Sequence, residues 1–356
     1  MISDLRLQQF RSYTDASFTF GPGVNIIVGP NGSGKTNLLE AILVVARGSS
    51  YRVSDLDLLQ FGAPWFRLDA RIAHRGERTV KLATEPRQAK TYELDGKTYQ
   101  RLTMNHMLPV VLFEPNHLQL LHGAPAQRRD YLDDILEQTN PGYVGTRRNY
   151  RRVLAQRNAL LKRQNLPSAQ ELFPWNLRLS ELGAAIARAR TALCGQLNDK
   201  LPDTYAEVSG TGTGVSIAYS ARFPVDGYET HLLQKLESHA REDAARGFTA
   251  YGPHREDFVV TFDGREASET ASRGETRTAI LALKIIELQL LEAVRDQTPL
   301  LLLDDVFSEL DAKRRAALTG FLERYQTFLT TTDADVVAEH LGGSAQLFRL
   351  GETDNR

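Results

Sequence analysis

Four consecutive leucines, Leu300 to Leu303, run into Asp304 and Asp305, a pattern that predicts a buried central strand with two acids at its C-terminal tip. Far upstream, Val24 to Val28 predicts a second strand that leads directly into Gly29. The ten residues 37–46, Asn-Leu-Leu-Glu-Ala-Ile-Leu-Val-Val-Ala, predict a helix that is apolar around most of its circumference and therefore buried. Leu5 to Phe10 predicts another strand, and short alternating runs follow at 66–73 and 79–84. Tyr92-Glu93-Leu94 and Lys97-Thr98-Tyr99 flank Asp95-Gly96, the signature of a hairpin with a type I′ turn. This first region is expected to be mixed α/β, with antiparallel strands added at an edge.

From about Pro125 to Leu201 the pattern becomes helical. Tyr150, Val153, Leu154, Leu160 and Leu161 recur near helical spacing, as do Leu182, Ala185, Ile186, Ala189 and Leu193. Pro167 and Pro174 are expected to separate these stretches into antiparallel helices, and Ser209 to Gly214 is expected to be a loop. After about Phe248 the α/β character returns. Val259 to Phe262 precedes a second hairpin signal, Asp263-Gly264, and a long amphipathic helix is predicted over 275–296. The strand at 300–304, a helix near 312–324 and a strand at 327–330 complete the pattern. The expected division is 1–125 and 248–356 as two parts of one α/β head, with 126–247 as an inserted helical arm.

Composition narrows the setting. The 356 residues suffice for two or three domains, and a net charge of −1 supplies no global field toward nucleic acid or membrane. A single cysteine, Cys194, excludes a disulfide framework and suits a reducing cytoplasm. No basic-then-apolar leader opens the sequence and no apolar run is long enough to span a bilayer, so a soluble cytoplasmic protein without a membrane partner is expected.

The chemistry concentrates in Gly29-Pro30-Asn31-Gly32-Ser33-Gly34-Lys35-Thr36, a complete P-loop followed by Asn37. Its fixed positions arise by chance in only about one chain in a hundred of this length at average residue frequencies. Strand before and helix after are the context that phosphate binding needs, since the glycines let backbone N–H groups approach the phosphates. Lys35 is expected to neutralise the β- and γ-phosphates of ATP, and Thr36 to ligate Mg²⁺ together with Asp304. Asp305 is expected to orient, or take a proton from, the attacking water. Roughly 270 residues separate Thr36 from Asp304, far more than a minimal P-loop domain needs.

Ser272-Arg273-Gly274-Glu275 stands at the start of the long helix. It is either a plain N-cap with a first-turn acid or an anion-facing helix start. Its place about 30 residues before the acidic strand is where ABC-type ATPases carry their signature, and Ser308-Glu309-Leu310-Asp311 matches their D-loop. In that class one head's signature serine faces the γ-phosphate held by the other head. Ser272 and Gly274 would then serve a second copy, and ATP would join a homodimer that hydrolysis releases. A transporter's nucleotide-binding subunit shares these motifs; the helical block and the wide spacing argue against it. A metabolic P-loop kinase has no need of the signature or the D-loop.

The chain resembles the RecF family of bacterial DNA replication and repair proteins. The resemblance is carried by Phe10-Arg11-Ser12-Tyr13, Gly29 to Thr36, Gly123, Pro125, Arg128-Arg129, Leu132-Asp133, Arg157 to Lys162, Gly252-Pro253-His254-Arg255, Ser272-Arg273-Gly274 and Leu303-Asp304-Asp305. It implies an ABC-type head related to SMC heads with a short helical arm, and places Arg11 near the nucleotide phosphates rather than at the surface end of a strand. It further implies a slow, DNA-stimulated ATPase that acts on duplex DNA near single-strand gaps. RecO and RecR are the implied partners, with RecA loading as the outcome. Three departures stand out. Ser12 occupies a position where asparagine is common, Glu275 replaces the usual glutamine, and no clear glutamine or switch histidine marks the γ-phosphate sensors.

Between Gly145 and Asn165 the chain carries Arg147, Arg148, Arg151, Arg152, Arg157, Lys162 and Arg163 and no acid. On a helix, Arg147 and Arg151 share a stripe with Lys162, and Arg148 and Arg152 share its neighbour with Arg163. This is either a duplex-backbone track or a face solvated or paired with acids of a neighbouring helix. No aromatic residues interleave as single-strand stacking would require.

Overall fold

In the computed structural model, all residues except 51, 164–166, 334–344 and 352–356 are described; Asn165, the end of the basic stretch, lies outside them. The chain divides into two compact units, one formed by residues 1–118 with 287–356 and the other by residues 119–286.

In the first unit, β1 (Ile2–Phe10), β2 (Tyr13–Thr19) and β3 (Val24–Val28) precede α1 (Lys35–Arg47). Next come β4 (Trp65–Ile72), β5 (Gly76–Ala83), β6 (Ala89–Leu94), β7 (Lys97–Tyr99) and β8 (Val110–Phe113). The second unit holds α2 (Pro125–Thr139), α3 (Tyr143–Leu161), α4 (Ala169–Asn198), α5 (Leu201–Ser209), β9 (Val215–Ser220), α6 (Tyr228–Ser238) and α7 (Ala240–Arg246). It continues with β10 (Asp257–Phe262), β11 (Arg265–Glu266) and α8 (Ala267–Thr270) to α9 (Arg273–Arg295), which returns the chain to the first unit. There β12 (Leu300–Asp304), α10 (Ala312–Leu322), β13 (Gln326–Thr331) and β14 (Gln346–Arg349) follow.

The first unit contains two sheets. A parallel sheet has the order β14-β3-β13-β12-β8, and the antiparallel strands form a six-stranded sheet of their own, β2-β1-β4-β5-β6-β7. Helix α1 packs against strands of both, which is why Leu38, Leu39, Ala41 to Ala46 and even Glu40 are buried. The apolar side chains among them join Leu5, Leu7, Phe66, Leu68, Leu302 and Phe328 in one core. Asp95 and Gly96 both have positive φ, 47° and 77°, as a type I′ turn requires.

The second unit is mainly helical but has its own three-stranded antiparallel sheet, β11-β10-β9. Because β10 pairs with β9 through Phe258↔Tyr219 and Val260↔Ile217, residues 248–286 group with this unit rather than with the head. Its limits are thus 119 and 286, in place of the expected 126 and 247. Pro174 does not separate helices: it lies inside α4, near an N-terminus fixed by the Ser168–Glu171 capping box.

Candidate functional site

The phosphate loop closes between β3 and α1. Gly34 is the αL residue that turns the chain into the helix (φ 102°), and a Cβ there would lie 2.9 Å from the Tyr13 hydroxyl. Lys35 is 5% exposed, and its Nζ donates to the carbonyls of Gly29 (2.7 Å) and Pro30 (3.2 Å), so its charge is held inside the loop. The buried Ser33 Oγ has no hydrogen-bond partner among the described residues.

Strand β12 brings the distant acids to this loop. Thr36 Oγ1 donates to Asp304 Oδ1 at 3.0 Å, and Thr330 Oγ1 donates to the same oxygen at 2.9 Å. Asp304 Oδ2 accepts from Arg52 Nη2 at 3.0 Å, and Arg52 also pairs with Glu114 at the end of β8. A hydroxyl and a carboxylate side by side at a P-loop are a hard oxygen donor set of the kind Mg²⁺ takes alongside phosphate oxygens and water. No group of three or more His, Cys, Asp or Glu side chains able to hold a metal occurs among the described residues, and that coordination does not require one.

Asp305 leaves the strand with φ 53°, a strained conformation for a non-glycine residue, and its N–H donates to Thr330 Oγ1 at 2.9 Å. Burial pushes the Asp305 carboxyl above its ordinary pKa; Lys35 works against this and Asp304 adds to it. A carboxylate made more basic in this way suits proton acceptance.

A three-rung brace holds the loop from the other side. Tyr13 donates to the Gly34 carbonyl (3.1 Å), Asn37 Nδ2 donates to Ser12 Oγ (2.9 Å), and Arg11 Nε donates to Glu40 Oε2 (2.7 Å). Positions 34, 37 and 40 recur at one helical turn, so the Arg11-Ser12-Tyr13 turn lies along a single face of α1. Arg11 directly follows the end of β1, and its side chain is anchored to the P-loop helix through Glu40. Glu40, Arg52, Glu114 and Thr330 were not legible as site residues, because each meets its partners only through the tertiary fold.

Ser272 caps α9. Glu275 N–H donates to Ser272 Oγ at 3.2 Å, and Ser272 N–H donates to Glu275 Oε2 at 2.8 Å. This is a reciprocal capping box, which gives Glu275 a local task.

The basic stretch on α3 divides into three kinds of residue. Arg147 is not a phosphate contact in this structure: ion pairs with Asp130, Asp133 and Glu137 occupy its guanidinium. Arg157 is fully buried against Asp243, Asn176 and Thr249. Arg148, Arg151 and Arg152 are exposed, Arg151 with a 3.6 Å pairing to Asp130.

Residues 1–350 match the RecF/RecN/SMC N-terminal domain model. The DNA replication and repair protein RecF of Moorella thermoacetica is 35% identical over 353 residues, covering 98% of this chain and 94% of that protein. The chain belongs to the RecF family. RecF of Frankia alni is 37% identical, over 99% of this chain and 98% of the relative. A solved structure of the recombination mediator protein RecF-ATP in the RecFOR pathway superposes with a TM-score of 0.84 at 27% identity, covering 98% and 95% of the two chains. The RecF fold, an ABC-type head related to SMC heads, accounts for both the P-loop sheet and the second unit. None of the described helices is long and apolar enough to cross a membrane.

Proposed function

We propose that this RecF-family chain is an ATP-dependent DNA-binding clamp whose slow ATPase acts as a release timer. The observation that carries the ATP reading is the 3.0 Å contact between Thr36 Oγ1 and Asp304 Oδ1, two residues 268 positions apart. The contact places the P-loop hydroxyl beside the acidic strand, the arrangement in which P-loop proteins hold a nucleotide's metal ion. The P-loop residues Gly29 to Thr36, with Arg11 and Asn37 beside them, bind the triphosphate. Lys35 neutralises its β- and γ-oxygens, Thr36 and Asp304 hold Mg²⁺, and Asp305 accepts the proton of the attacking water. Bound Mg²⁺ supplies charge neutralisation at the phosphates. A RecF relative solved with ATP supports the choice of nucleotide.

Ser272 and Gly274 complete the site of a second copy, so nucleotide binding drives homodimerisation. The exposed Arg148, Arg151 and Arg152 track the backbone of duplex DNA near single-strand gaps. The RecFOR pathway named for the solved relative supports RecO and RecR as partners; RecA loading in the cytoplasm is the output this reading assigns. Family membership favours this reading over a transporter subunit.

Light scattering with ATP and Mg²⁺ tests it. The wild type is expected to double its mass, Lys35→Met to stay monomeric, and Asp305→Asn to hold the dimer longer. Ser272→Arg is expected to bind ATP without pairing. Equal masses for all of these proteins would rule the clamp out, and lost nucleotide binding in Ser272→Arg would contradict the role given to that serine. Gapped duplex DNA is expected to raise ATP turnover above the DNA-free rate.

A further inference from the structure

Arg52 is a cation seated on the acid that faces the phosphate loop. Its Nη2 donates to Asp304 Oδ2 at 3.0 Å and also to Glu114 Oε2, while its Nε donates to that same Glu114 oxygen at 3.1 Å. The other oxygen of Asp304, Oδ1, accepts from the hydroxyls of Thr36 and Thr330. The guanidinium therefore covers the side of the carboxylate that the two hydroxyls leave open. Positive charge at that place is what Mg²⁺ would supply, yet a guanidinium has no lone pair with which to coordinate a metal.

The members of this trio differ in freedom. The side chains of Glu114 and Asp304 are 8% and 7% exposed, and that of Arg52 is 32% exposed. Asp304 ends the buried strand β12. Glu114 is fixed through its backbone: its N–H donates to His117 Nδ1 at 3.1 Å, and its carbonyl accepts from the His117 N–H at 2.9 Å. The movable member is the arginine, whose own N–H is tethered to Ser50 Oγ at 3.0 Å. Letting go of Asp304 takes one hydrogen bond from Arg52, and both Nε and Nη2 keep Glu114. An arginine with no second acid would oppose a divalent cation on Asp304, because like charges would meet in a largely buried site. Glu114 removes that conflict.

We propose that Arg52 stands in for the metal at Asp304 until Mg²⁺ arrives with the nucleotide, and that Glu114 then takes the guanidinium. The proposal rests on the Mg²⁺–ATP reading of the site. Before nucleotide binds, Arg52 keeps Asp304 neutralised, so that an incoming triphosphate does not meet a bare carboxylate beside the loop. On metal binding, Arg52 gives up Asp304 and stays on Glu114. Two residues outside the P-loop and the acidic strand thereby set how strongly metal and nucleotide support each other.

The test is the affinity of the full-length protein for a fluorescent, non-hydrolysable ATP analogue, measured in excess Mg²⁺ and again in EDTA. The ratio of the two affinities reports how much the metal strengthens nucleotide binding, a quantity that a change in fold stability alone does not move. Arg52→Ala is expected to raise this ratio about tenfold, the size of one charge-assisted hydrogen bond, mainly by weakening binding in EDTA. Arg52→Lys, which keeps the charge, is expected to fall between that variant and the wild type. Glu114→Gln is expected to lower the ratio about three- to tenfold, because Arg52 then stays on Asp304. In the Arg52→Ala background, Glu114→Gln is expected to change it by less than about twofold, since Glu114 acts through the arginine. Thermal melting checks that each variant folds, and Arg52→Lys with Glu114→Gln decides the matter if Arg52→Ala does not. An unchanged ratio in the Arg52 variants, or an equal effect of Glu114→Gln with and without Arg52, would overturn the stand-in role and leave the ATP site in place. A wild type that binds no nucleotide would overturn the ATP reading and this proposal with it.

Discussion

Arg147 and Arg157 belong to a stretch that has seven cations and no acid in sequence, yet neither is available to an external anion. Charge counted along the chain misses acids delivered from elsewhere: Asp130, Asp133 and Glu137 come from α2, and Asp243 from α7. For Arg157 the consequence is energetic. Both its side chain and that of Asp243 are fully buried, and its nitrogens donate to Asp243, Asn176, Thr249 and the Leu236 carbonyl. Arg157→Met removes one charge and leaves the other buried without its partner, a loss on the order of 3–5 kcal/mol. Urea unfolding of the variant is expected to show a correspondingly lower midpoint. By contrast, Arg152→Ala changes an exposed side chain and is expected to shift stability by less than about 0.5 kcal/mol. Its effect should appear instead as weaker, less salt-sensitive duplex binding.

Among the elements, α1 carries the nucleotide loop at one end and is held along its length by side chains that sequence pattern does not connect to it. The Arg11–Glu40 pair closes the brace, and Ser50 Oγ also donates to Glu40 Oε1 at 2.6 Å. Glu40→Ala frees both donors and loosens the turn that Arg11 occupies with φ 54°. Nucleotide affinity, read with a fluorescent ATP analogue, is expected to fall about five- to tenfold, in line with losing a charge-assisted hydrogen bond. Glu40→Gln, which keeps an acceptor for both donors, is expected to lose less. Equal affinity in Glu40→Ala and wild type would show that the brace does not position the site. Sequence pattern reached the elements whose burial is strong and local: β12 at 300–304, α9 within two residues of the expected start, and both Asp-Gly turns. It did not identify β2, β8, β9, β11 or β14. Of these, β9 is defined by its pairing with β10, whose register joins Val215 to Phe262 across a long stretch of chain. The same distinction holds at the site, where Lys35, Thr36 and Asp304 are motif residues but Arg52 reaches Asp304 across 252 positions.

At the scale of the whole molecule, the buried polar groups of the second unit tie its stability to pH. Burial pushes His254 down to about 4, overcoming the support of the Thr249 carbonyl, and Arg255, Arg129 and Arg190 add to the depression. The neutral ring satisfies both of its neighbours at once, with Nε2–H donating to Thr249 and Nδ1 accepting from Tyr150. In the unfolded chain the same histidine titrates near its ordinary value of 6.5 and so binds a proton first as pH falls. Stability from this group is therefore full above about pH 6.5 and is lost progressively down to about pH 4, to an extent on the order of 2–3 kcal/mol. Asp133 acts in a lower window. Burial opposes its charge, but Arg190, Arg147 and the Tyr143 hydroxyl outweigh that and hold its carboxyl below the ordinary value of 3.8. Its contribution is full above that value and disappears only as pH falls through the depressed one. Unfolding free energy measured from pH 7 to pH 4 is thus expected to decline in wild type, and His254→Gln is expected to flatten the decline at the cost of lower stability at pH 7. If His254→Gln kept the wild-type slope between pH 6.5 and 4, the acid sensitivity would belong to other groups, and the Gly252–Arg255 turn would be held by packing rather than by the neutral imidazole.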